Sequence, residues 1–126
     1  MRDHTKLRVF SLADELAMDV YSFSRSFPSE ERYGLQSQVR RAAVSVAANI
    51  VEGCARSSES EYMRFVEIAY ASARELQYET TLCERLGYLQ ADAALDLNTK
   101  CASLTKMLSS LLLSLKAGRH IGPNAV

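Results

Sequence analysis

Tryptophan is absent, proline occurs twice and glycine five times in 126 residues. So few turn-formers disfavour a turn-rich all-β fold. The three cysteines, Cys54, Cys83 and Cys101, are odd in number and far apart, and no CxxC pair occurs. Neither a zinc site nor a redox dithiol is indicated, and buried free thiols in a reducing cytosol are the simplest reading. The only histidines, His4 and His120, lie near the two ends. A carboxylate-bridged metal centre in a helix bundle needs Glu-x-x-His on two helices, and none is present. Serines abound without a central histidine to serve as their base, and there is no Gly-rich phosphate loop. We therefore expect no catalytic residues, no cofactor and no metal, and read the chain as a non-enzyme. The 15 basic and 15 acidic residues cancel, which removes the basic excess usual in nucleic-acid-binding domains. No stretch approaches the roughly 20 apolar residues of a membrane span. The opening MRDHTKLRVF lacks the apolar core of a signal peptide. A cytoplasmic protein without membrane contact is expected.

What is present is helical periodicity. Apolar residues make up 48% of the chain, enough for one domain with a sizeable core. Residues 1–8 read as a polar arm, and residues 118–126 as a loose tail. A first helix is predicted from Phe10 to Ser26, capped by Ser11 or Thr5, with Leu12, Ala13, Leu16, Val20 and Phe23 on one face. Pro28 stops it. A second helix runs from Leu35 to about Gly53 or Arg56. Ser58 and Glu61 form a capping box for a third helix, Glu59 to Leu86, ended by Gly87. Tyr62, Phe65, Ala69, Ser72, Ala73, Leu76, Thr80 and Cys83 are its inner face. A fourth helix from Ala91 to Lys116 carries a stripe from Ala94 through Leu97, Cys101, Leu104 and Leu108 to Leu115. Short connections make consecutive helices antiparallel neighbours. The predicted fold is an all-α, antiparallel up-down-up-down four-helix bundle.

The second helix has three faces. Leu35, Val39, Ala42, Ala43, Val46 and Ile50 face the core. Beside them Gln38, Arg41, Ser45, Asn49 and Glu52 form a polar stripe at spacings of three and four, within side-chain reach. Glu75 and Glu79 on the third helix could approach Arg41 or Arg40 across the hairpin. The plainer reading is a partly buried network that fixes helix register; the other is an exposed ligand site. On the far side Val44, Ala47, Ala48 and Val51 form a second apolar patch. With Leu113, Leu95 and Met107 off the stripe of the fourth helix, this patch suggests a subunit interface. Basic residues gather as Arg2, Lys6 and Arg8, as Arg32, Arg40 and Arg41, and as Lys100, Lys106, Lys116 and Arg119. Arg8, Arg32, Arg40, Lys100 and Lys106 are the candidate contacts for nucleic acid or a partner protein, against the alternative of ordinary solvated charges. Arg40 could line a subunit interface instead.

With these elements in place, the chain resembles the four-helix bundle protein family, also called the 23S rRNA-intervening sequence proteins. The matching pieces are Phe27-Pro28, Glu31 to Leu35, Ser37 to Ala42, Ser45-Val46, Asn49-Ile50 and Glu52-Gly53. Glu61-Tyr62, Phe65, Ala69, Ser72, Glu75-Leu76, Leu86 to Leu89 and Met107-Leu108 follow. Ala47-Ala48 departs from a Pro-Ser common in the family, which implies a straighter second helix. Ala71 stands where Gly is common. The resemblance implies a closed bundle assembled into homo-oligomeric rings, most often pentamers, with no enzymatic activity. It also implies open reading frames inside insertions in large-subunit ribosomal RNA genes. A related group, the accessory proteins of diversity-generating retroelements, binds nucleic acid through a basic surface. Only Arg40, Arg41, Asn49 and Glu52 carry over as a polar block. The expected function is an oligomeric structural or adaptor protein that binds RNA, DNA or a partner protein through the ring surface. The alternatives are a protein-only scaffold and, less favoured, a small-molecule carrier.

Overall fold

A computed structural model describes residues 1–118. It contains four α-helices: α1 (Arg8–Ser24), α2 (Leu35–Cys54), α3 (Glu59–Arg85) and α4 (Ala91–Lys116). Among the described residues there is no strand. Each helix packs on its sequence neighbours, and α1 closes the ring against α4. The fold is therefore the expected four-helix bundle, with α2 and α4 on opposite sides of the core. Arg119, His120 and most of the expected tail lie outside the described residues.

The core follows the periodicity. Leu16, Val20, Val39, Val46, Ile50, Leu76, Leu104 and Leu108 are all buried to 1% exposure or less. Val66 joins them, whereas Phe65, expected inside, is half-buried. The three thiols are free and buried. Burial pushes Cys83 and Cys101 up to about 11, so neither supplies a thiolate near neutral pH.

The helix ends show where local signals suffice. Ser58 Oγ accepts from the Glu61 amide at 3.2 Å, as the capping box requires. At the end of α3, Tyr88 N–H donates to the Cys83 carbonyl (2.9 Å) and Gly87 N–H to that of Glu84 (3.0 Å). This Schellman pattern needs the left-handed backbone of Gly87, whose φ is +81°. The start of α1 departs from expectation. Neither Ser11 nor Thr5 caps it: the N-cap is Leu7 without a side-chain bond, and Ser11 Oγ donates back to the Leu7 carbonyl from inside the helix. Thr5 instead bonds Asp3, which caps a 3-10 turn at His4–Lys6. The arm is docked. Arg2 N–H donates to the Cys54 carbonyl at 2.7 Å, its guanidinium lies 3.8 Å from the centre of the Tyr62 ring, and it pairs with Glu59. The α1–α2 connection is tied by Glu31, whose carboxylate caps Leu35 N–H (3.1 Å) and accepts from Tyr88 Oη (2.9 Å).

Candidate functional site

The polar stripe of α2 forms one wall of an open groove of about 830 Å³. Tyr21 of α1 and Arg32 and Tyr33 of the α1–α2 connection also line it. Gln36, Ser37, Arg40, Arg41, Ser45 and Asn49 line it from α2, with Ala42, Val44 and Ala48 as apolar surface; Ser72 and Glu75 face them from α3. Three arginines against one glutamate make this groove basic in a chain of zero net charge.

Its residues are held to different degrees. Arg40 is fixed: Nε donates to Ser24 Oγ at 2.8 Å, and the guanidinium sits 4.6 Å from the Tyr21 ring centre. Gln36 Nε2 donates to the Ser24 carbonyl at 2.7 Å. Deeper, Ser45 and Ser72 share a hydroxyl hydrogen bond of 2.8 Å across the α2–α3 seam. Asn49 Nδ2 donates to Ser45 carbonyl (2.8 Å) and Oγ (3.1 Å). Arg32, Tyr33 and Arg41 are exposed. Behind the groove Glu79 is only 4% exposed, and its Oε1 has no hydrogen-bond partner. Burial, then the hydrogen bond to Glu75 and that group's negative charge, push Glu79 up to about 8; Arg41 opposes them. Burial therefore favours the protonated form of Glu79 near neutral pH.

The family model for 23S rRNA-intervening sequence proteins matches residues 5–110. The chain belongs to that family. Among solved structures, a protein of unknown function from the S23 ribosomal protein family of Bacteroides thetaiotaomicron VPI-5482 is similar. It shares 22% identity with a TM-score of 0.76, over 82% of this chain and 97% of that one. At that identity the likeness speaks for the fold alone. A search of the curated proteins finds no match.

In this family member the sequence-predicted site residues separate into groups. Arg41, Ser45, Asn49 and Glu75 come together along the groove, with Glu79 behind them. Gln38 is exposed and does not line it. Glu52 is a correction: it pairs with Arg56 at 2.7 Å, one turn on, and not with Asn49. Of the basic candidates, Arg32 and Arg40 line the groove. Arg8 starts α1, and Lys106 is exposed on α4, across the bundle from α2. Lys100 is a second correction. Its ammonium lies 2.7 Å from Asp19, 2.8 Å from Glu15 and 3.2 Å from Asp96, so its charge is neutralised within the fold. Hydrogen bonds to Asp19 and Glu15 raise its pKa and keep it charged. The apolar patch is also divided. Val44 is 43% exposed and Leu113 64%, but they sit on opposite helices; Val51 is half-buried, and Ala47 and Met107 pack partly on the core. Tyr21, Tyr33 and Ser72 were not singled out as groove residues from the sequence. Tyr33 had one signal, an aromatic beside Arg32 at a helix entrance.

The Lys100 cluster gives a first prediction. Lys100→Met leaves three mutually repelling carboxylates on the α1–α4 seam. We expect a loss of about 1 kcal/mol at low salt, because the group is partly solvated. Urea titrations at low and high salt check this: the deficit should shrink as salt screens the repulsion.

Proposed function

We propose that this family member is a cytoplasmic, non-enzymatic, homo-oligomeric adaptor that holds nucleic acid in the groove along α2. The observation that supports the reading is the gathering of Arg32, Arg40 and Arg41 with Tyr21 and Tyr33 in one open groove. Phosphate contacts depend on local positive charge, so a zero total does not oppose them. Aromatic rings between arginines add stacking surface for bases. Assembly would repeat the groove and multiply weak contacts. Exposed Val44 lies on the groove and Leu113 on the opposite helix, which suits contact between unlike faces of successive subunits in a closed ring. A pentamer is favoured by the family resemblance.

Fluorescence anisotropy with labelled RNA and duplex DNA across a salt series tests the binding. Affinity should fall steeply with salt, and Arg41→Glu should weaken it at least tenfold. No binding at low salt would leave the second reading, a protein-only scaffold, which the exposed Val44, Leu95 and Leu113 favour. Light scattering tests the assembly. The double variant Val44→Asp, Val51→Asp should yield monomers of unchanged helicity; a wild-type monomer would refute it.

A further inference from the structure

We infer that the groove takes single-stranded rather than duplex nucleic acid, with Tyr33 held out as the platform for the face of an unpaired base. This rests on the groove being a nucleic-acid site and names the form it would choose. Tyr33 lines the groove beside Arg32, yet it is 91% exposed, so its ring has almost no packing within its own chain. The backbone around it is tied down. On one side Arg32 N–H donates to the Ser29 carbonyl at 3.1 Å, and Glu31 N–H to that of Pro28 at 2.9 Å. On the other, Gly34 N–H donates to the Glu31 carbonyl at 3.1 Å, and the Glu31 carboxylate accepts from Leu35 N–H and the Tyr88 hydroxyl. Tyr88 in turn lies 5.0 Å, ring centre to ring centre, from buried Phe27. A fixed backbone therefore presents a free ring, and binding need not order the connection first.

Charge alone does not tell one strand from two. Arg32 and Arg41 attract any phosphate chain, and Glu75 on the α3 wall opposes any. A duplex carries the denser charge, so attraction to the arginines by itself would favour it. An exposed ring reverses that order. In a duplex both faces of each base are covered by its neighbours in the stack, and only edges and phosphates are presented. A single strand can turn a base out and lay it on an aromatic side chain, whatever the base, because every base has a π-face. Tyr33 is the ring free for this contact. The Tyr21 ring already carries the Arg40 guanidinium at 4.6 Å, and Ser24 Oγ holds Arg40 in place. RNA and DNA single strands share the chemistry that Tyr33 would read.

The test uses the full chain and labelled mixed-sequence strands of about 20 nucleotides, longer than one single-strand site, as RNA and as DNA, each alone and annealed to its complement. At the same low salt, wild type should bind the single strands at least tenfold more tightly than the duplexes. Tyr33→Ala should weaken the single strands at least fivefold and leave the duplexes unchanged, while Tyr33→Phe, which keeps the ring, should bind as wild type does. Because Tyr33 is exposed, neither change should move the melting temperature. A preference confined to RNA or to DNA would support the inference and name the backbone the groove takes. Equal affinity for single strands and duplexes, or a Tyr33→Ala variant that binds single strands as wild type does, would overturn this inference and leave the groove reading intact. So would a Tyr33→Ala variant that loses its assembly in light scattering, since the ring would then be a subunit contact. No binding to any form at low salt would overturn both.

Discussion

Replacing Gly53 by valine is expected to lower stability by about 3 kcal/mol, a fall of about 10 °C in Tm. Alanine there should be close to neutral. Gly53 sits in the last turns of α2, against Tyr62 and Phe65 of α3. A Cβ added to it would lie 3.0 Å from Phe65 Cβ, 3.3 Å from Tyr62 Cδ1 and 3.4 Å from the Tyr62 carbonyl oxygen. None of these is the free end of a flexible chain. Tyr62 is 2% exposed, with the Arg2 guanidinium against its ring, so it has little room to move. Alanine gains up to about 1 kcal/mol of helix propensity over glycine, which offsets a shift of a few tenths of an ångström. Valine adds two methyl groups at a stiff, branched Cβ directed into the same contact, and its propensity gain is smaller. Thermal and urea denaturation of the three proteins, followed by circular dichroism, check the ordering. A valine variant melting with the wild type would mean that α2 and α3 do not rely on close approach at this level.

That contact also marks the limit of what the sequence disclosed. The four helices and most of their ends were legible because their signals are local. Ser58 and Glu61 lie within one turn, Gly87 stops α3 by its own backbone freedom, and the stripe from Leu97 to Leu111 repeats on one helix. The groove was half legible. Arg41, Ser45 and Asn49 share a stripe of α2, so their proximity follows from helical spacing. Tyr21 and Ser72 reach the same groove from other helices, and their register depends on how side chains interdigitate across each seam. Lys100 was misassigned for the same reason. Its partners Glu15 and Asp19 are on α1, and nothing near Lys100 in the chain announces them. The docked arm depends on Cys54, Glu59 and Tyr62, more than fifty residues away, so residues 1–8 looked free when they were not. Charge hid Glu79 from the core: it lies three residues after Leu76 and four before Cys83, the spacing of the inner face.

Glu79→Gln should flatten the pH dependence of stability and leave the variant more stable than wild type at pH 9. In the folded protein Glu79 keeps its proton to about pH 8, against an ordinary value of 4.5. Between those limits the native state binds the extra proton, so stability falls as pH rises. The contribution is fully present below about pH 4.5 and lost as pH passes 8. At about 1.4 kcal/mol per pKa unit it is on the order of 5 kcal/mol at most across the interval. Burial dominates because the charged carboxylate would be removed from water within one turn of Glu75, which is also negative. Arg41 opposes this, but no ion pair joins it to either carboxylate among the described residues. Glutamine has almost the same volume, carries no charge at any pH, and can still donate an amide hydrogen to Glu75. Near pH 5 the two proteins should be similar, because wild-type Glu79 is then neutral in the fold and largely ionised only in the unfolded chain. Urea midpoints measured from pH 5 to 9 separate the cases. Parallel curves would show that Glu79 is ionised in the native state and stabilised by Arg41.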